Sequence, residues 1–374
     1  MSAGRIGFDA RMWDHPGIGR YVRELSKELI SQPLSHEFLF LSHGRFAESL
    51  TSAAHSSNDS RFSFKNAASP IYSLSEQFEL AFRASGLSAL HVPHFNIPVL
   101  FKGRLIVTIH DLLYFHEPEA SRSRWGRPYV SYLLRRIART AAAIITVSEF
   151  TKRDLLEHVP SVRPERVFVT YEGISSVFRK ISDENLLAQT RRRFSLEKPF
   201  VLYVGSLKAH KNVTRLVEAL RRIRQKKGIP HELVLVGRQD PRNEGLKRLI
   251  SENAFCRYLG ELEDSDLARV YNTAELFVLP SLWEGFGLPV LEAMACGVPV
   301  ISSDRASLPE VAGGAAALFN PESVDALEGL IYNVLSDNGL RQMMLQKGFQ
   351  NIQRFSWKDT ARQTLEIYNK VMSS

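Results

Sequence analysis

Cysteine is nearly absent. Cys256 and Cys296 are the only two thiols in 374 residues, too few for a disulfide framework and in no metal-ligand spacing, so a reducing compartment is expected. No apolar run approaches the roughly 18 to 20 residues needed to cross a bilayer. The opening Met1-Ser2-Ala3-Gly4-Arg5 runs straight into the strand-like Ile6-Gly7-Phe8, without the regions of a signal peptide, and the expectation is a cytoplasmic protein. Low-complexity tracts and any period of roughly 20 to 50 residues are also lacking, which disfavours a solenoid or propeller.

What is present is an ordinary globular balance, 44% hydrophobic, 24% charged and 10% aromatic, sufficient for a sizeable interior. A chain of this length is about two to three times a typical domain, so two domains are expected. The net charge of +8 is uneven. Positions 1–180 hold 23 basic and 17 acidic residues, and the remainder 25 and 23. Arg122, Arg124, Arg127, Arg135, Arg136 and Arg139 have no acidic residue among them. Val130, Leu133, Leu134, Ile137, Ala138 and Ala141 form one apolar helical stripe, and Arg135, Arg136 and Arg139 fall off it. Those arginines are either a solvated face or a contact for an anionic partner such as membrane lipid or a phosphorylated acceptor.

Short β-branched or aromatic runs alternate with helical patterns throughout, the signature of parallel sheets with crossover helices. The expected strands are 5–9, 38–42, 89–92, 105–109, 143–147 and 166–170, then 200–204, 232–236, 257–260, 276–279, 298–302 and 315–319. This gives an α/β fold of two Rossmann-like domains, 1–180 and 181–355, with the linker within Tyr171 to Pro199. Ser356 caps a final helix over 356–374 that either covers the second sheet or returns to the first domain.

Ligands of open α/β sheets bind beyond the carboxyl ends of strands, and four such exits carry polar or glycine-rich sequence. After the first strand, Gly17, Ile18, Gly19 and Arg20 form a turn into a helix, read as a phosphate loop or as a tight turn. Val107-Thr108-Ile109 ends in His110 and Asp111, with His94 and Asn96 after the preceding strand; an imidazole there can serve proton transfer or bind sugar, and Asp111 can simply cap a helix. Gly205, Ser206, Lys208 and Lys211 precede a helix starting at Val213, which fits a diphosphate site, the alternative being a solvated loop. Finally Glu284, Gly285, Phe286, Gly287 and Leu288 turn into a helix containing Glu292. One glutamate can bind sugar hydroxyls while helix amides receive phosphate, although Glu292 could instead only favour the dipole.

The Glu284 to Glu292 stretch, with its Gly-Phe-Gly-Leu-Pro interior, resembles the E-x7-E signature of glycosyltransferase family 4, retaining nucleotide-sugar enzymes of GT-B architecture. The resemblance extends to Gly17-Ile18-Gly19-Arg20-Tyr21, His110-Asp111-Leu112, Val147-Ser148-Glu149-Phe150-Thr151, the loop 205–212 and Ser307-Leu308-Pro309-Glu310-Val311. It implies two domains facing across a cleft, the donor in the second and the acceptor mainly in the first, with the last helix crossing back. It further implies Glu292 on the donor ribose, Glu284 on the transferred sugar, the Gly287 and Leu288 amides on phosphate, and His110 beside the reacting sugar. Many members carry Arg after the glycine corresponding to Gly205. Here Ser206 stands there, leaving Lys211 for the diphosphate.

The sequence looks most like bacterial mannosyltransferases of polysaccharide or O-antigen assembly, which implies GDP-mannose as donor, with UDP-sugars as the alternative. A lipid-linked saccharide acceptor would bring the protein to the inner face of the cell membrane. Asp264-Ser265-Asp266 matches a D-x-D metal pattern but precedes a helical run, so it reads as an N-cap with an acidic first turn, and no essential metal is expected. An NAD-dependent oxidoreductase would need G-x-G-x-x-G after a strand, which neither half supplies. A nucleic-acid-binding protein using the basic face is the rival from another class, and the paired glutamates favour sugar chemistry over it.

Overall fold

The computed structural model describes residues 4–32, 36–43, 61–117 and 126–373. The chain forms two compact units, 1–173 with 356–374, and 174–355. In the first, the strands are β1 (Arg5–Asp9), β2 (Glu37–Ser42), β3 (Phe62–Asn66), β4 (Ala89–Val92), β5 (Arg104–Ile109), β6 (Ala141–Thr146) and β7 (Val167–Val169). Its helices are α1 (Gly19–Ser31), α2 (Leu74–Arg83), α3 (Leu113–His116), α4 (Gly126–Thr140) and α5 (Glu149–His158). The second holds α6 (Glu184–Phe194), β8 (Phe200–Val204), α7 (Val213–Lys227), β9 (Glu232–Val236), α8 (Glu244–Glu252), β10 (Cys256–Gly260) and α9 (Asp264–Thr273). It continues with β11 (Leu276–Leu279), α10 (Leu288–Ala295), β12 (Val300–Ser303), α11 (Leu308–Ala312), β13 (Ala317–Phe319), α12 (Val324–Ser336) and α13 (Asn338–Asn351). The last helix, α14 (Trp357–Ser373), belongs to the first unit.

Both sheets are wholly parallel, in the orders β3-β2-β1-β4-β5-β6-β7 and β10-β9-β8-β11-β12-β13. Each is therefore doubly wound, and the strand order reverses between β1 and β4 in one and between β8 and β11 in the other. Strands buried on both faces explain their near-continuous apolar sequences. Phe200 to Val204 and Glu232 to Val236 are buried throughout.

The strand that the sequence reading missed is β3. Its Phe62-Ser63-Phe64-Lys65 alternates apolar and polar residues because it lies at the sheet edge and is only half covered. The segment before 200 is not a free linker: α6 packs on α9, Asn272 accepts from the Ile181 amide at 2.8 Å, and it donates to the Arg179 carbonyl at 2.9 Å. That is why the divide falls at Gly173/Ile174 rather than at 180. In the D-x-D stretch Glu263 is the cap residue and makes no side-chain cap bond, while Asp264 and Asp266 lie in the first turn of α9.

Helix α14 is anchored in the first unit by polar contacts that spacing could not reveal. Tyr368 Oη and His91 Nδ1 are 2.6 Å apart, His91 Nε2 and Thr108 Oγ1 2.7 Å, and Thr108 Oγ1 and Tyr21 Oη 3.1 Å. Thr360 donates to the Tyr171 carbonyl at 2.6 Å. A Cβ at Gly173 would stand 2.0 Å from the Trp357 amide nitrogen, so only glycine lets the helix start there. On α4, Val130, Leu133, Leu134, Ile137 and Ala138 are buried and Arg135, Arg136 and Arg139 exposed, as the stripe requires, whereas Ala141 lies past the helix and opens β6. Arg122 and Arg124 lie outside the described residues.

Burial lowers the His91 pKa from 6.5 to about 3. The unfolded chain then binds more protons than the folded one below about 6.5, so His91 contributes stability that is present above that pH and is lost as pH falls towards 3. In His91→Gln, denaturant unfolding followed from pH 7 to 4 should show a pH slope shallower than wild type by up to about 1.4 kcal/mol per pH unit.

Candidate active site

In the second domain, polar residues gather at the exits of β8 and β11, the two strands on either side of the reversal in strand order. Parallel strands put all such exits on one edge, and the reversal opens a crevice there. Gly205 has φ +150°, and a Cβ on it would meet the Tyr203 hydroxyl at 2.8 Å. That hydroxyl donates to the Ser206 carbonyl at 2.9 Å, and burial followed by the charge of Glu284 raises its pKa. Gly237, at the exit of β9, has φ +129° and packs so closely that a Cβ would stand 2.2 Å from the Gly205 carbonyl oxygen. Bare backbone thus lines the floor of this edge.

The next loop carries the charges. Lys211 Nζ donates to both oxygens of Glu284 at 2.6 Å, and Ser281 Oγ donates to Glu284 Oε1 at 2.7 Å. Asn212 adopts the left-handed conformation at φ +59°, and its buried amide donates to the Pro280 and Pro321 carbonyls at 3.0 and 2.9 Å. The sequence reading had no role for Asn212. Burial, then Lys211 and Lys208, lower the His210 pKa to about 3 and keep that ring neutral between the two lysines.

Gly287, with φ +110°, is the cap residue of α10, with Pro289 in the first turn. Ser307 Oγ lies 2.9 Å from the Glu284 carbonyl and 2.8 Å from that of Phe286, so the Ser307-Leu308-Pro309 segment holds the turn in shape. Glu292 is buried on α10 and accepts from Tyr271 Oη at 3.1 Å. Asp266 pairs with Arg193 at 2.9 Å and Arg269 at 3.5 Å.

In the first domain, His110 follows β5. Its Nδ1 lies 3.2 Å from Glu172 Oε1, its ring meets Tyr21 edge-on at 4.8 Å, and its Nε2 has no hydrogen-bond partner among the described residues. Glu172 was not singled out from sequence, because its nearness to His110 arises from sheet order. Ser148 caps α5 through the Thr151 amide at 3.0 Å, and Thr151 Oγ1 donates to the His110 carbonyl at 3.2 Å, so this motif holds the segment after β5. Asp111 Oδ1 accepts from the Leu113 amide at 3.0 Å at the start of α3, whose cap residue is Leu112.

The loop after β1 also differs from a simple anion cradle. The Gly17 and Ile18 amides both donate to His15 Nδ1 at 3.3 Å, and the Gly19 amide donates to the His15 carbonyl. A Cβ at Gly19 would stand 2.4 Å from the Trp13 carbonyl oxygen, so this glycine serves close packing; Arg20 lies in the first turn of α1.

At the β1/β4 reversal the sequence reading found His94 and Asn96 but missed their partners. Arg11 grips Asp9 bidentately at 2.8 Å and Glu76 at 2.7 Å, all three buried. Asn96 donates to Glu76 at 2.7 Å and accepts from Tyr129 at 2.6 Å, while His94 Nε2 lies 3.0 Å from Tyr72 Oη. Burial raises the Glu76 carboxyl pKa against the opposing pull of Arg11, and lowers that of His94 well below 6.5. The available signal was an acid at the last position of the first strand and a base two residues later.

Two family models cover most of the chain: Glycosyltransferase Family 4 over residues 16–177 and Glycosyl transferases group 1 over residues 188–351. The chain is 30% identical over 368 residues to the O-antigen chain mannosyltransferase B of Escherichia coli, spanning 94% of this chain and 95% of that one. The chain belongs to glycosyltransferase family 4. This glycosyltransferase is also 28% identical over 293 residues to the serotype-specific mannosyltransferase WbdA of Escherichia coli, matching 76% of its own length and 35% of that longer protein. Its GT-B fold is similar to that of Anabaena HepE in complex with UDP and glucose, with a TM-score of 0.78 at 17% identity over 98% of this chain and 100% of that one.

Because Ser307 supports the turn between the two glutamates, Ser307→Ala in this glycosyltransferase should lower the stability of the second domain by about 1 to 3 kcal/mol, measured by denaturant unfolding. Transfer activity should fall with it.

Proposed function

We propose that the protein is a retaining mannosyltransferase that moves mannose from GDP-mannose to a saccharide or lipid-linked saccharide in cell-surface polysaccharide assembly. The observation that carries this reading is the ion pair of Lys211 with Glu284 at the β8/β11 reversal, and the names of the relatives over this length support mannose. On donor binding, Lys211 turns to the diphosphate and Glu284 to the hydroxyls of the transferred sugar. Glu292 takes the ribose, and the Gly287 and Leu288 amides at the start of α10 take phosphate.

Retention follows if the acceptor hydroxyl attacks the anomeric carbon on the face from which the diphosphate leaves. No side chain then bonds to the sugar. The leaving oxygen gains negative charge, which Lys211 and the helix amides offset. His110, held by Glu172, contributes to transfer rather than to nucleotide binding. Asp266 is engaged by two arginines, so transfer proceeds without an essential metal.

In a thermal-shift screen, GDP at 100 times its dissociation constant should add about 2.7 kcal/mol of stability, and UDP at equal concentration markedly less; the reverse order would make the donor a UDP-sugar. Glu284→Ala should lose turnover while keeping GDP binding, and Glu292→Ala should lose both, each lost bond costing about 1.5 to 3 kcal/mol. Equal loss of GDP binding in the two variants would remove the division of roles.

An anionic membrane surface is the proposed location of a lipid-linked acceptor. On α2, Leu74, Phe78 and Phe82 recur every fourth residue and are 83%, 66% and 76% exposed. Gln77 of α2 accepts from the Val99 amide at 2.9 Å, and Arg136 of α4 donates to the Val99 carbonyl at 3.3 Å, which joins this apolar stripe to the arginine face. Apolar side chains beside cations suit a lipid interface, where each arginine contributes about 1 kcal/mol. Replacing Arg135, Arg136 and Arg139 by Gln, or Phe78 and Phe82 by Ser, should each reduce sedimentation with anionic liposomes at low salt; unchanged binding in both would favour a soluble acceptor.

A further inference from the structure

The reading of the donor site leaves one cluster of ligand-type side chains unused. His116 closes α3, Asp154 lies in the middle of α5, and His158 closes α5. One ligand atom from each comes within 4.8 Å of the others, the one such group of three among the described residues. Asp154 Oδ1 lies 2.8 Å from His116 Nε2 and 3.0 Å from His158 Nδ1, which also reaches the Asp154 backbone carbonyl at 3.0 Å. The two rings stand edge to face at 4.8 Å.

A hydrogen-bonded relay would account for Oδ1 but not for its neighbour. Asp154 is 5% exposed, and its Oδ2 is buried with no hydrogen-bond partner among the described residues. Leaving a buried carboxylate oxygen unsatisfied is costly, and a cation that Asp154 takes through its carboxylate, Oδ2 included, beside the two imidazoles would satisfy it. The donor set is two imidazole nitrogens and one carboxylate oxygen, which suits Zn²⁺ and its neighbours among the divalent transition metals rather than Mg²⁺ or Ca²⁺. Bonds of about 2.0 to 2.1 Å in a tetrahedral site separate ligand atoms by about 3.3 Å, so the two imidazole nitrogens need to draw back from Asp154 Oδ1 by only a few tenths of an ångström. His116 is exposed, so an ion reaches the site without unfolding of the domain.

We propose that His116, Asp154 and His158 bind a single divalent transition-metal ion of the Zn²⁺ type, with solvent as the fourth ligand, that clamps α3 to α5. The clamp is structural. Helix α3 follows His110-Asp111-Leu112 directly, and α5 already holds the His110 carbonyl through Thr151. The ion therefore fixes the turn that carries His110 without taking part in transfer. Sequence spacing gave no hint of it, because His116 and Asp154 are 38 residues apart.

The test uses the full-length chain without an affinity tag, stripped with chelator and then titrated with Zn²⁺ in equilibrium dialysis and with Co²⁺ by visible absorption. The expected result is a single saturable equivalent of Zn²⁺, a tetrahedral Co²⁺ band, and a thermal midpoint raised by Zn²⁺. His116→Gln, at an exposed position, should keep the fold by circular dichroism and weaken Zn²⁺ binding by more than roughly 100-fold, beyond what loss of an outer hydrogen bond costs. Asp154→Asn should behave likewise, and Asp264→Asn with Asp266→Asn should bind as wild type does. Zn²⁺ binding that is unsaturable, that survives His116→Gln, or that disappears in the Asp264/Asp266 variant would overturn the assignment.

Discussion

All strands of each sheet run in one direction, and every functional feature of this glycosyltransferase depends on that constraint. Parallel strands deliver each following loop to the same edge, and a reversal in strand order parts two of those loops so that a crevice opens between them. The reversal at β8/β11 brings Lys211 to Glu284 across 73 residues of chain. The equivalent reversal at β1/β4 collects Asp9, Arg11, His94 and Asn96. Chemistry that looks scattered in sequence is compact because strand order makes it so.

The two reversals are furnished in opposite ways. In the second domain, glycines at the ends of β8 and β9 remove side chains from the floor, and one largely but not fully buried ion pair stands where a ligand can exchange with it. In the first domain, a buried arginine is shared by two buried carboxylates and further tied to asparagine and tyrosine. Such a network loses desolvation energy and recovers it only through complete hydrogen bonding, so it holds its loops in one arrangement. The site of the second domain is built to change partners and that of the first domain to stay fixed.

The terminal helix illustrates how distant residues become a single structural unit. Tyr368, His91, Thr108 and Tyr21 form a chain of contacts beneath His110, whose ring rests on Tyr21. Glu172 approaches His110 just before Gly173, where the chain passes too close to the start of that helix for a Cβ. The motif Val147-Ser148-Glu149-Phe150-Thr151 acts from the other side, through the His110 carbonyl. Motifs that lack catalytic chemistry of their own thus support the residue that has it.

The sequence by itself determined the α/β class, twelve strands within a few residues together with the start of α10, and the loops that carry Gly205, Lys211, Glu284 and Glu292, because buried parallel strands and glycine-rich exits are written in local composition. It determined the buried and exposed faces of α4 for the same reason, periodicity being a local property. Tertiary structure alone decided that Lys211 meets Glu284, that Glu172 meets His110, that Arg11 joins Asp9 to Glu76, and that α14 belongs with the first domain. It also decided that β3 is a strand, since half-covered edge strands carry a weak pattern. Pairings across 60 to 280 residues depend on strand order and helix crossing, and neither leaves a mark in the spacing of residues along the chain.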